Sequence, residues 1–363
     1  MKPISDMAFY CCGVRMQDAA QASPVCGDVY AKLFMDEYGR RIYDKFKEEI
    51  ISNASIIVRH RIIDDVLRHM LLSQPDLCIV TIGAGFDSRP YRLRGGTWFE
   101  LDEPQVITYK NERLPILGCA NPLHRVAIDF CTDSLEERLS DIPHGGPTVF
   151  ILEGVFIYLN ESEIKKLLEI FNKLFPKHEL ICDLVNRQMV EHYGQRLHQI
   201  VEEIGASFKP VDTPESIFLI NGYRVRETIS VAEVSVDLGI NKVPKFILRY
   251  FFNREIKGNS VYVLEKHDPD LAAIKSNADF SENYSGPTTD KLKSRGAAKP
   301  DIMEPRHHIP ELSDQIRRAR SRWQCLGRRL CTMRSARRCD AAGTSRSSPA
   351  ARRSCRADAP MRS

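Results

Sequence analysis

The chain of 363 residues lacks any apolar run approaching the roughly 18–20 residues of a bilayer-crossing helix, which excludes a span of that kind. Its start, MKPISDMAFYCC, has no basic stretch followed by an apolar core, so no secretory leader is expected. Eleven cysteines contain no CxxC pair, which removes the usual zinc frameworks. No GxSxG elbow is present, and Ser162, Cys11 and Cys12 suggest no hydrolase triad. His192 and His198 stand six residues apart, a poor spacing for facing one metal, so no metal site is expected. The thiols are scattered. Two of them, Cys78 and Cys182, lie inside strand-like runs, where a free Cys behaves as a small apolar residue. A reducing, cytoplasmic compartment is the simplest expectation.

The net charge of +4 hides an asymmetry. Residues 317–363 hold 14 of the 52 Lys+Arg and 2 of the 48 Asp+Glu, which leaves 38 against 46, or −8, for residues 1–316. The body is mildly acidic and the tail strongly basic. Residues 268–310 are polar with little periodicity, and 316–363 are rich in Arg, Ser, Ala and Cys. The segment 268–363 therefore reads as disordered, with a short helix allowed near 311–324. Such a tail can attract polyanions, but irregular Arg spacing and scarce aromatics argue against specific nucleic-acid recognition.

The most informative stretch is IVTIGAGFDSRPYRL, residues 79–93. Ile79 to Ile82 read as a buried strand that runs into Gly83-Ala84-Gly85. Glycines at a strand end let the backbone turn sharply and approach a ligand. A second strand from Thr97 to Leu101 ends in Asp102, where nucleotide-binding α/β folds place the acid that takes ribose hydroxyls. Glu100 is the alternative acid on that strand. The third glycine of a dinucleotide fingerprint is replaced by Ser88, and Asp87 is unfavourable beside a pyrophosphate. The loop better suits an adenosine without phosphates and with a charged amino-acid tail. S-adenosylmethionine is such a ligand, and NAD is not expected to bind.

Four motifs follow in order: GAGFDSRPYRL, FELDEPQVITYK, VAIDF and LEGVFIYL. Together they resemble the leucine carboxyl methyltransferase and polyketide O-methyltransferase family of class I S-adenosylmethionine-dependent methyltransferases, over roughly residues 6–266. Strand-like runs at 78–82, 97–101, 125–128, 148–152 and 179–184 alternate with helix-like segments such as 104–114 and 161–174. Two more strands are read at 224–231 and 260–264. The expected fold is α/β: a Rossmann-like, seven-stranded, mostly parallel sheet with helices on both faces. The resemblance implies an antiparallel last strand. Residues 1–75 read as helices that form a lid, so a methyltransferase domain is expected over 1–267.

The resemblance implies roles for particular residues. Asp102 takes the ribose; Asp129 sits by the adenine amino group; Phe130, where the family usually has Leu, covers the ring. Glu153 ends the apolar run Val149–Leu152 and lies against the cofactor. A carboxylate there is costly unless paired or ligand-bound, and the cofactor's ammonium and sulfonium are both cationic. Arg59 matches the family arginine that binds the cofactor carboxylate, with Arg61 as the alternative. Arg15 falls where the family has another basic residue, before a turn that here reads Gly27-Asp28-Val29 and lacks the usual Pro; a solvated surface position is its other reading. Tyr158 and Tyr193 are candidates for lining the acceptor pocket.

Methyl transfer from a sulfonium needs binding and alignment more than acid–base chemistry. An ionised carboxylate acceptor needs no base, whereas a hydroxyl acceptor does. The functional expectation is therefore an O-methyltransferase acting on a small molecule such as a polyketide. The alternatives are a protein C-terminal leucine carboxyl methyltransferase and a catalytically silent cofactor-binding protein with a polyanion-binding tail. The link between Leu114 and Arg125 is short, which favours the small-molecule branch, because the resemblance implies longer insertions there in the protein-modifying branch.

Overall fold

The computed structural model describes residues 2–212, 214–251 and 258–266. The basic tail expected over 268–363 lies outside these residues. Seven strands form one sheet: β1 (Cys78–Ile82), β2 (Thr97–Asp102), β3 (Leu123–Ala127), β4 (Thr148–Leu152), β5 (His178–Val185), β6 (Tyr223–Ser230) and β7 (Asn259–Lys266). Their order is β3-β2-β1-β4-β5-β7-β6. Strands β1 to β5 pair in parallel, and β7 runs antiparallel between β5 and β6. The α/β class, the strand count and the antiparallel last strand are those expected from the sequence.

The central strands have continuous apolar runs because both of their faces are covered. Val80, Phe150, Leu180 and Leu264 enter one core with helix Glu161–Leu174, while Ile79, Val149, Ile181 and Val263 enter another with helix Ile50–Ser73. This alternation puts successive side chains on opposite faces of the sheet. Edge strand β6 is instead largely exposed and carries Arg224, Arg226 and Glu227, charges that discourage a further strand from adding.

The N-terminal helices are α1 (Pro3–Ala19), α2 (Glu37–Phe46) and α3 (Ile50–Ser73). Helix α1 and the turn after β1 share a third core, in which Phe9 and Phe34 pack on Phe86 with ring centroids 4.8 Å apart in each case. Beyond β1 lie the single turn α4 (Arg89–Arg92), α5 (Pro104–Arg113), α6 (Leu135–Ser140) and α7 (Glu161–Leu174). Helix α7 is held at its start by a reciprocal capping box between Asn160 and Glu163.

Two expectations need adjustment. Strand β3 begins at Leu123 rather than 125, because Leu123 pairs with Trp98; Ile128 has left the strand. Helices at Arg187–Tyr193, Gln195–Glu203 and Pro214–Ile220, between β5 and β6, were not anticipated. Among the described residues, no helix is long and apolar enough to cross a membrane.

From β1 the chain moves outward through β2 and β3, then returns to β4 on the other side of β1. In such sheets ligands bind beyond the carboxyl ends of the strands at this reversal. Gly83, Gly85, Asp102, Asp129 and Glu153 lie at that end.

Candidate cofactor site

Gly83 and Gly85 turn the chain after β1 with φ of +67° and +46°. A β-carbon on Gly83 would stand 2.8 Å from Val155 Cγ2, so glycine is required by both backbone and space. The amides of Gly83 and Ala84 donate to the Leu101 carbonyl, which ties the turn to β2. The Gly85 amide then donates to Asp102 Oδ2 at 2.5 Å, and the Glu103 amide to Asp102 Oδ1 at 2.7 Å. Each carboxylate oxygen can accept a second donor, which suits a vicinal diol. Burial pushes Asp102 up to about 6 despite those two amides. Glu100 is not available to a ligand: buried Lys110 and Arg125 donate to its two oxygens at 2.8 and 2.9 Å.

Asp129 lies just past β3. It accepts from Lys2 Nζ at 2.7 Å and from the Cys131 amide at 2.9 Å, and Lys2 holds it below the usual carboxylate range. Lys2 also reaches Glu103 at 2.8 Å, so the start of α1 bridges the ends of β2 and β3. Phe130 is 42% exposed.

Glu153 follows β4 and sits in a buried ion network. Arg59 Nε lies 3.2 Å from Oε1, and Arg89 Nη1 lies 2.8 Å from Oε2. Burial pushes its pKa up, but Arg89, His60 and Arg59 outweigh burial and leave it well below the ordinary value. Arg59 also donates to Asp183, two residues before the end of β5, at 2.8 Å, and Asp183 accepts from the Gly154 amide at 2.5 Å. Arg89 binds Asp64 at 2.6 Å and Asp87 at 2.7 Å; Arg92 binds Asp64. His60 lies between them. Its Nε2 faces Arg92 Nη2 at 2.7 Å and its Nδ1 faces Glu153 Oε2 at 3.2 Å. Burial and Arg89 lower its pKa, so it is neutral at physiological pH.

The network decides two points left open by sequence. Arg59, not Arg61, enters the site; Arg61 turns away to Asp65 at 2.7 Å. Arg15 is not a solvated surface residue. It is buried, pairs with Asp28 at 2.9 Å and donates to the Phe86 carbonyl at 2.8 Å, so it fastens α1 to the glycine turn. Asp87 does not stand where the sequence suggests. Asp87 is committed to Arg89 and does not project as a free charge against a ligand. Ser88 is fully buried and donates to Asp28 at 2.5 Å, so the position that a dinucleotide site fills with glycine carries a packed side chain.

Sequence reading missed His60, Asp64, Arg89 and Asp183. The rule applied to Glu153, an acid closing an apolar strand, finds Asp183 equally well after Leu180-Ile181-Cys182. Tyr158 ends a turn, Phe156–Tyr158, with its ring 5.5 Å from that of Phe208. Burial raises its phenol far above the ordinary value, so it stays protonated. The side chain of Tyr193 lies outside those described. Among the described residues, no group of three or more His, Cys, Asp or Glu could hold a metal ion.

The strand order, the glycine turn at β1 and the acids at successive strand ends define the class I methyltransferase architecture. Residues 10–172 match the leucine carboxyl methyltransferase family model. The tetracenomycin polyketide synthesis O-methyltransferase TcmP of Streptomyces glaucescens is 25% identical over 262 residues, covering 66% of this chain and 93% of that protein. A protein of Mycolicibacterium smegmatis provisionally named an S-adenosyl-L-methionine-dependent methyltransferase is 32% identical over 141 residues, 37% of this chain and 47% of that one. A solved structure of a DUF574 family protein from Streptomyces avermitilis has a TM-score of 0.48 at 10% identity, covering 65% of this chain and 95% of that chain. The first curated relatives are matched over about a third to a half of their length, from 31% to 47%.

Proposed function

We propose that this protein is an S-adenosylmethionine-dependent O-methyltransferase that methylates a carboxylate or hydroxyl oxygen of a small molecule such as a polyketide. The observation that carries the reading is the alignment of the glycine turn after β1 with Asp102, Asp129 and Glu153 after β2, β3 and β4. The donor set fits the cofactor. Asp102, already oriented by two amides, would take the ribose hydroxyls. Asp129 and Phe130 would hold the adenine, and Arg59 with Glu153 the amino-acid end. When bound, the cofactor supplies an activated methyl group for in-line displacement. The chain's own part is to hold the two reactants in line. Tyr158, kept protonated, would line the acceptor side and donate a hydrogen bond rather than act as a base.

The name of TcmP, which covers nearly its whole length, supports the small-molecule branch. So does the compact 115–122 link, which contains only the single turn Ile116–Gly118. The family model's description supports the second reading, a protein C-terminal leucine carboxyl methyltransferase. The free cysteines among the described residues accord with a cytoplasmic setting. Calorimetric titration with S-adenosylmethionine and S-adenosylhomocysteine tests cofactor binding. Radiolabelled methyl donor is then offered with aromatic polyketide acids and phenols, and with peptides ending in leucine. Label on the small molecules supports the proposal, and label on the peptides alone replaces it with the second reading. Cofactor binding with no label on any acceptor leaves the silent binding protein.

A further inference from the structure

We infer that Asp183 sets the site's preference for the charged methyl donor over its demethylated product by giving the buried ion network one negative charge in excess. The inference rests on the proposed function. The network contains four guanidiniums, Arg15, Arg59, Arg89 and Arg92, and five carboxylates, Asp28, Asp64, Asp87, Glu153 and Asp183, with every side chain at most 13% exposed. Asp28 faces Arg15; Asp64 and Asp87 face Arg89 and Arg92; Glu153 lies between Arg89 and Arg59, and Asp183 pairs with Arg59. The network as a whole thus carries one negative charge in excess, and Glu153 and Asp183 are its acids near the ends of β4 and β5. Asp183 is ionised on geometric grounds, because both of its oxygens accept hydrogen bonds, from Arg59 and from the Gly154 amide.

His60 adds no charge. Arg92 Nη2 lies 2.7 Å from its Nε2, and Arg89 Nη2 lies 2.8 Å from its Nδ1, nearer than Glu153 Oε2 at 3.2 Å; guanidiniums only donate, so both ring nitrogens face donors, which an imidazolium with no acceptor cannot satisfy. Arg68 approaches Asp64 only to 3.7 Å from a half-exposed position, and its nearer partner is Asp65 at 2.7 Å. The most accessible members of the network are Glu153 and Arg59, at 13% and 12% of their side-chain surface, with Asp183 directly behind Arg59. A ligand meets the network there. The donor carries a carboxylate, an ammonium and a sulfonium, net +1; the product lacks the sulfonium and is neutral. A site with net charge −1 favours the first. Asp183 acts through Arg59 and the field, and is a specificity-determining residue rather than a catalytic one.

The test is calorimetric affinity for S-adenosylmethionine and S-adenosylhomocysteine in the wild type, Asp183→Asn and Asp183→Glu. Asp183→Asn should weaken donor binding about tenfold, the size that unit charges about 12 Å apart produce at an effective dielectric near 20, and leave product binding within about twofold. Asp183→Glu keeps the charge and should restore the wild-type ratio. An unchanged donor-to-product ratio in Asp183→Asn overturns the inference alone, while a wild type that binds neither ligand overturns the proposed function with it. If Asp183→Asn does not fold, the wild type answers with an analogue whose amine replaces the sulfonium. Above the amine's pKa, binding should take up a proton, read from calorimetry in buffers of different ionisation enthalpy. Binding without uptake overturns the inference.

Discussion

Replacing Asp102 by Asn should stabilise the cofactor-free protein at neutral pH while weakening cofactor binding. Burial lifts the Asp102 pKa from 3.8 to about 6, a rise of roughly 2 units. Each unit corresponds to about 1.4 kcal/mol, so holding this carboxylate ionised costs about 3 kcal/mol above pH 6. The folded pKa lies above the unfolded one. The folded state therefore binds the proton more tightly, and stability present below pH 4 is lost as pH rises through 6. Asparagine removes the charge but matches only one of the two amides that now donate to Asp102, and the unmatched amide costs about 1–1.5 kcal/mol. The net gain is about 1.5–2 kcal/mol at pH 7.5, or a rise in melting temperature of about 3–8 °C for a body of this size. It should shrink towards pH 4, where the wild-type acid is already protonated. Cofactor affinity should fall about ten- to hundredfold as the ribose loses an acceptor. Scanning calorimetry of both proteins from pH 4 to 8, with and without S-adenosylmethionine, gives all of these quantities. A variant that melts below wild type at pH 7.5, or shows no pH-dependent difference from it, refutes the account of a destabilised acid. Unchanged cofactor affinity refutes the ribose assignment.

Gly83→Ala forces a β-carbon to within 2.8 Å of Val155 at a φ of +67° and should cost about 1–3 kcal/mol in chemical denaturation, with cofactor binding falling as well. His178 is neutral in the fold, donating from Nδ1 to the Phe175 carbonyl and accepting at Nε2 from Tyr223, with its pKa lowered by burial from 6.5 to about 4. The unfolded state binds the proton first, so this group withdraws about 3 kcal/mol of stability as pH falls from 6.5 to 4. His178→Gln should flatten that acid limb in urea titrations at successive pH values. Ending the chain at Asp268 should leave the melting temperature and cofactor affinity unchanged, since β7 closes the sheet at Lys266. A lower melting temperature would mean that the tail is packed structure, and lost methyl transfer with intact binding would place it in the acceptor site.

The sheet was legible in the sequence because its strands are short apolar runs ended by turns. Strands β1 and β4 fall at the positions expected, and the acids after β2, β3 and β4 lie where strand ends place them. The helices between β5 and β6 escaped because each is short, 7 to 9 residues, too few to repeat an apolar pattern more than twice. The ion network was illegible for a different reason. Arg59 meets partners 94 and 124 residues further along the chain, and no local pattern pairs charges at that distance. Arg61 and Arg59 look equivalent in IVRHRIIDD, and only the helix face that each occupies separates them.

The reach of Arg59 has a consequence for how the nascent chain acquires its structure on the ribosome. Arg59 is synthesised 124 residues before Asp183, an interval of roughly 6 to 25 seconds at ordinary elongation rates. Throughout that interval helix α3 has emerged with a guanidinium that the fold buries only against acids not yet made. Docking it earlier would strand a charge in an apolar surrounding, so the helix stays undocked until β5 is complete. Helix α3 thus reaches its native position late in synthesis, and a chaperone that binds exposed helices has several seconds in which to engage it.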